Sequence, residues 1–231
     1  MFRHIVLSSV LVLGGFVSDA LAQSDRSVWG FSGSFVPKWN TPSELAILFD
    51  ADTVDIRGSE FRVGVVRGRP LSGDWGVSFV RKNFREGSQV SAEPFEGCFN
   101  TSCFTETSSA TFQHVTVTGV EVHKFIPFAT IKRRAQIGLT VAGGVGSWKG
   151  TALREEAFVD FQGNTPVLRR DVASIPIEDL WVLERAMIPL FRLELAGAAI
   201  VSNNFKMRIS GGVNFPGTQA FSVQGIFLLP Q

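Results

Sequence analysis

Tyrosine is absent from the 231-residue chain, cysteine occurs twice and histidine three times. Two cysteines exclude a multi-bridge disulfide scaffold, and so few histidines and cysteines leave no cluster with metal-ligand spacing. Neither sign of charge dominates: 22 Lys plus Arg stand against 21 Asp plus Glu, so the electrostatic footprint of a nucleic-acid binder is missing. After Ala22 no segment holds the roughly 20 uninterrupted apolar residues that a membrane-crossing helix needs. The glycine run Gly143-Gly144-Val145-Gly146 lacks the Lys-Ser/Thr and the helix of a phosphate-cradling loop, and reads as strand curvature. No cofactor is expected.

What is present is alternation. In Met187 to Leu228 a two-residue period runs through three consecutive segments. Met187, Pro189, Phe191, Leu193 and Leu195 oppose Arg192, Glu194, Ala196 and Ala198; Phe205, Met207, Ile209, Gly211, Val213 and Phe215 oppose Lys206, Arg208, Ser210, Gly212 and Asn214; Phe221, Val223, Gly225 and Phe227 oppose Ser222 and Gln224. That is strand spacing. Only Ser202-Asn203-Asn204 and Pro216-Gly217-Thr218 separate the segments, so they fold back as antiparallel hairpins.

The N-terminus reads as an export signal. Phe2 to Ala22 has Arg3 and His4, an apolar run from Ile5 to Val17 and a small-x-small end at Ala20-Leu21-Ala22, so the mature domain, 23–231, starts near Gln23. In an exported chain, Cys98 and Cys103, within a Gly/Ser/Thr-rich loop, are expected to form one local disulfide.

Upstream of the C-terminal hairpins the same period predicts five more strands: Val28–Pro37, Glu60–Gly68, one starting at Trp75, Ala110–Phe125 and Ala135–Trp148. Thr41-Pro42-Ser43-Glu44 combines a cap, a first-turn proline and a glutamate three residues after the cap, which predicts a short helix through Phe49 between strands 1 and 2. In Ala110–Phe125 the apolar parity shifts between Val115/Val117 and Val120/Val122, so a bulge is expected at Gly119. Arg85–Ser109 and Lys149–Asp179 read as long loops. The result is an all-β chain: a closed antiparallel up-and-down barrel of about eight strands with its long loops on one side, the asymmetry of bacterial outer-membrane barrels.

The polar parity decides which face is inside. It is made of small residues (Ser32, Ser34, Gly64, Gly76, Ser78, Gly138, Thr140, Ala142), which suit the narrow interior of an eight-strand barrel better than a water-facing surface. Its few charges, Glu60, Arg62, Glu121, Arg192, Glu194, Lys206 and Arg208, must then pair in the lumen, because an unpartnered buried charge is costly. Trp29, Trp75, Trp148 and Trp181 fall near strand ends, where membrane-interface aromatics are expected.

From Val28 to Leu228 the chain resembles small outer-membrane barrels of the OmpA-like kind, through its strand pattern, its export signal and stretches such as Gly73-Asp74-Trp75-Gly76-Val77-Ser78-Phe79. The resemblance implies an outer-membrane location, contact with outer-membrane lipid and assembly by the barrel-insertion machinery. Such proteins usually end on an aromatic residue in phase with the lipid face; here Phe227 stands in that phase, before Leu228-Leu229-Pro230-Gln231. The chain is expected to be a monomer.

Chemistry is sparse. His114 is the candidate for the Ser-His-acid arrangement of barrel enzymes that cut lipid acyl chains, but Thr116, not Ser, stands two residues on and no acid is singled out by spacing. His123 shares a parity with Glu121 and is expected to pair with it. The expected role is therefore non-enzymatic, structural or interactive, with room for a narrow gated solute path. Two alternatives are a soluble exported barrel holding an apolar ligand inside, and a lipid-modifying barrel enzyme.

Overall fold

The computed structural model describes residues 27–41, 52–69, 73–92, 94–99, 102–132, 134–162, 165–180, 187–202, 204–215 and 217–229. The export signal, Trp181 and, past Thr41, the helix expected through Phe49 lie outside these residues.

The strands are β1 (Val28–Asn40), β2 (Thr53–Asp55), β3 (Arg57–Arg69), β4 (Gly73–Phe84), β5 (Gln89–Ser91), β6 (Phe95–Phe99), β7 (Ser102–Ile131), β8 (Ala135–Gln162), β9 (Thr165–Pro176), β10 (Met187–Ser202), β11 (Phe205–Asn214) and β12 (Gly217–Leu228). Eight of them, β1, β3, β4, β7, β8, β10, β11 and β12, are staves, each antiparallel to the next. Pairing of β1 with β12, Phe31 opposite Phe227, joins the first stave to the last and closes the barrel. Closure leaves no stave with an unpaired edge.

Val28 at the start of β1, Leu228 at the end of β12 and the tight connections β3–β4, β7–β8 and β10–β11 lie at one end, here the short side. The opposite, long side carries more structure than the loop-like composition suggested. β7 and β8 are 30 and 28 residues long. Their outer halves stay paired from Phe104↔Asp160 to Gln113↔Thr151, well beyond the barrel. β9 adds to β8, β5 and β6 add to β7, and β2 adds to β5. The segments read as loops, Arg85–Ser109 and Lys149–Asp179, are thus largely a sheet extension. Their Gly, Ser, Thr and Glu content reflects strands that lie mostly beyond the barrel with at least one face toward solvent, while Val54 of β2 and Val90 of β5 turn onto the buried apolar cluster.

Within the barrel, alternation becomes inside and outside. On β10, Met187 is exposed and Ile188 buried, and the pattern repeats through Leu195 and Ala196. Phe31, Phe35, Phe61, Val63, Val77, Phe79, Val122, Val141, Leu193 and Phe227 are all exposed, so an apolar band runs round the outer face.

The bulge expected at Gly119 is absent. β7 keeps one register with β4 from Asn83↔Thr116 to Asp74↔Phe125, and the odd residues Val115, Val117, Glu121, His123 and Phe125 are all buried. The apparent change of phase arises because that inward face turns from apolar to polar along its length. Gly119 is small because Leu190 of β10 packs over it: an added Cβ would lie 2.8 Å from Leu190 Cδ1 and 2.3 Å from the Val145 carbonyl oxygen. The irregularities of β7 fall instead between Gln113 and Thr116, where His114 adopts a φ of 51°, and between Pro127 and Ala129.

Candidate functional site in the barrel interior

The interior is layered along the barrel axis. At the long side an apolar plug fills it: Trp39 from β1, Phe84 from β4, Val115 and Val117 from β7, Trp148 from β8 and Leu190 from β10 form one buried cluster with Ile177 and Leu180 from the β9–β10 connection. The Trp39 and Phe84 rings meet edge to face at 5.0 Å between centroids, and Phe84 lies 5.0 Å from Trp148. Trp148 therefore sits in the plug and not at a membrane interface. Its even position on β8 points it inward, a parity that outweighs its place near the stave's end. Trp29 and Trp75 do point outward, 47% and 44% exposed.

Below the plug lies an ion-pair network. Glu60 pairs with Arg62 on its own strand and, at 3.3 Å, with Lys82 of β4. Lys82 Nζ also donates to Asn214 Oδ1 at 2.8 Å and to the Phe215 carbonyl, while Asn214 Nδ2 donates to Glu60. Arg62 reaches Glu121 of β7 at 3.7 Å and Glu194 of β10 at 3.9 Å. Arg192 bridges Glu121 and Glu194, the latter at 3.0 Å. Ser210 Oγ donates to Glu194 Oε2 at 2.7 Å and lies 2.7 Å from Ser222 Oγ. Three cations and three carboxylates balance here, each buried.

Nearer the short side, Asp74 accepts from Arg208 Nη2 at 2.6 and 2.9 Å and pairs with Lys206 at 3.0 Å. Arg208 Nη1 donates to Gln224 Oε1 at 2.8 Å. Both cations also lie over the Phe125 ring, at 4.1 Å for the Arg208 guanidinium carbon and 5.0 Å for Lys206 Nζ. Such cation–ring contacts gain strength where water is excluded. Val66, Ile226 and Leu228 close the end of the interior beneath.

The seven charged residues singled out from sequence all face this interior, where they divide into two groups. Sequence reading missed two members, Asp74 and Lys82. Asp74 precedes Trp75, where the sequence places the start of that strand, and Lys82 lies near its far end. Both share parity with Gly76, Ser78 and Val80, and that parity was the available signal. His123 is buried but pairs differently from the expectation: its Nδ1 lies 3.4 Å from Ser78 Oγ. His114 stands exposed on the long side with its Nδ1 2.8 Å from Glu86 Oε1. Cys98 lies directly across from Cys103 in the β6–β7 hairpin.

Chemically, the arrangement holds and blocks. Carboxylates in a narrow, water-poor lumen are tolerated because each faces a guanidinium or ammonium group and further hydrogen-bond donors. Among the described residues no group of His, Cys, Asp and Glu has the geometry to hold a metal ion. Compared with known proteins, the chain matches no family model and no curated protein.

Proposed function

We propose that the chain is an exported outer-membrane barrel that spans the bilayer as a closed cylinder, with a structural or interaction role and no enzymatic one. The observation that carries this reading is the inversion of the molecule: a belt of exposed Phe, Val, Leu and Trp surrounds an interior of paired charges and small polar groups. In water such a belt far exceeds the few hundred Å2 of contiguous apolar surface that a soluble monomer normally exposes. In a bilayer it faces acyl chains, and the closed sheet leaves no backbone group unpaired in hydrocarbon. A soluble barrel with an apolar ligand inside requires the opposite orientation of these side chains.

The OmpA-like resemblance, cleavage after Ala22, assembly by the barrel-insertion machinery and a monomeric state belong to the same proposal. In it the long side faces outward from the cell, and the β7–β8 extension is the part offered to partners. A disulfide between Cys98 and Cys103 staples the β6–β7 hairpin of that extension; their opposed positions support it. The plug and the ion-pair network together hold the lumen shut, so a solute path would need both to move.

The test is fractionation joined to a heat-modifiability gel. Recovery with outer membranes, and an unboiled form that migrates differently from the boiled one, is the expected result. Recovery in the soluble fraction would overturn the proposal.

A further inference from the structure

At barrel height the outer face of the described staves carries charge of one sign only. All four acids of the staves at barrel height, Glu60, Asp74, Glu121 and Glu194, point inward and are buried. The exposed ionisable side chains there are cations, among them Arg67, Arg69 and Lys124. Two of these belong to an ordered row near the short side. Trp29 of β1 stands opposite Arg67 of β3, Arg67 opposite Trp75 of β4, and Trp75 opposite Lys124 of β7. The row therefore reads aromatic, cation, aromatic, cation across four adjacent staves. The two indoles meet edge to face at 6.0 Å, and the Arg67 guanidinium carbon lies 5.3 Å from the Trp29 ring centroid.

Directly above the row, toward the barrel's middle, three of these staves, β1, β3 and β4, form a shallow, wide-open apolar groove of about 500 Å3 lined by Phe31, Val63, Val65, Val77 and Phe79. The next outward position on β1 is Gly33, where an added Cβ would meet nothing within 4 Å, so the missing side chain leaves this stretch of the belt recessed.

We infer that the row and groove form one binding site for an anionic phospholipid: an acyl chain lies in the groove and the phosphate sits between Arg67 and Lys124. The inference rests on the bilayer-spanning reading above and adds to it a particular lipid at a particular place. Adjacent strands are about 4.8 Å apart, so Arg67 and Lys124 emerge roughly 10 Å from one another, a gap that two long side chains bridge around a phosphate. A guanidinium binds phosphate oxygens through paired N–H groups, and indoles prefer the level of the headgroups. The charge complementarity selects an anionic lipid over a zwitterionic one, because among the described residues no carboxylate stands beside the row to bind a choline or ethanolamine cation.

The test reconstitutes the full mature chain in vesicles of equal phosphatidylglycerol and phosphatidylcholine, extracts it into mild detergent and measures retained lipid by native mass spectrometry. A cation near a lipid surface contributes about a fivefold preference for negative charge, so the pair should give on the order of tenfold or more enrichment of phosphatidylglycerol. Arg67→Gln with Lys124→Gln should bring the ratio down to that of the bulk mixture. Arg69→Gln with Lys132→Gln, which removes two cations from the same end but outside the row, should leave the enrichment intact. Equal loss in both double variants, or no enrichment in the unsubstituted protein, overturns the lipid site. Mobility of the unboiled protein from pure phosphatidylcholine vesicles reports insertion separately. If the unsubstituted protein fails to insert there, the bilayer-spanning reading falls and the lipid site with it.

Discussion

Arg62 on β3 and Glu194 on β10 approach to 3.9 Å although three staves separate their strands in either direction round the barrel. The pair thus spans the full width of the interior. Contacts of this kind make the ion-pair network a brace between opposite walls, and they show how little free space the interior keeps at this level.

Removing one member of the brace should cost far more than a surface charge. Arg62→Ala leaves Glu60, Glu121 and Glu194 short of a cation in a dry interior, and the expected destabilisation is about 3–5 kcal/mol. Urea titration of the folded protein in bilayers measures it. Exchange of Arg192 and Glu121 together for Met should cost much less than Arg62→Ala, since it leaves no unpaired charge behind. A loss for Arg62→Ala comparable with that of an exposed cation such as Arg81 would argue against a buried brace.

The outward belt should behave as a lipid-facing surface. Val122→Arg places a charge on the outer face near the barrel's middle, and in a bilayer this should destabilise by about 2–4 kcal/mol. A soluble barrel would tolerate the same change or gain solubility from it. Refolding yields in vesicles and in detergent-free buffer separate the two cases.

The plug should be the tighter of the two barriers to ion passage. Phe84→Ala removes the ring that touches both Trp39 and Trp148 and should cost about 3–5 kcal/mol through the cavity it leaves. In planar bilayers the unsubstituted protein should show no steady conductance, and Phe84→Ala combined with Trp148→Ala should still pass no steady current while the ion-pair network below stays intact. Conductance in the unsubstituted protein would contradict a closed interior.

The cysteine pair should matter locally. Intact mass under non-reducing conditions should be lower by the two thiol hydrogens. Because the ring between Cys98 and Cys103 is short and lies beyond the barrel, Cys98→Ser should cost no more than about 2 kcal/mol. The shift on the unboiled gel should persist. A free thiol by alkylation would remove the staple.

Local sequence carried the barrel. The eight staves are legible because each repeats a two-residue period between turn residues, and the inward parity is legible because Ser32, Ser34, Gly64 and Ser78 are small where a surface would carry long polar chains. The charges Glu60, Arg62, Glu121, Arg192, Glu194, Lys206 and Arg208 follow from the same parity. Strands such as β9, whose described residues are nearly all exposed, and β5, whose three residues are too few to show a period, carry no burial pattern in the sequence.

The direction of each stave side chain, inward or outward, follows from the order of residues, since it depends on the parity of a residue within its own strand. The tertiary structure alone decided the height at which each inward residue sits and what it meets there. Stave register and closure set that height, and they bring Arg62 to Glu194, Lys206 to Asp74 and Trp148 to Phe84 from strands that no local pattern relates. The layering of an apolar plug over a charged middle is therefore a property of the closed barrel, because it depends on how eight periodic strands are staggered against one another.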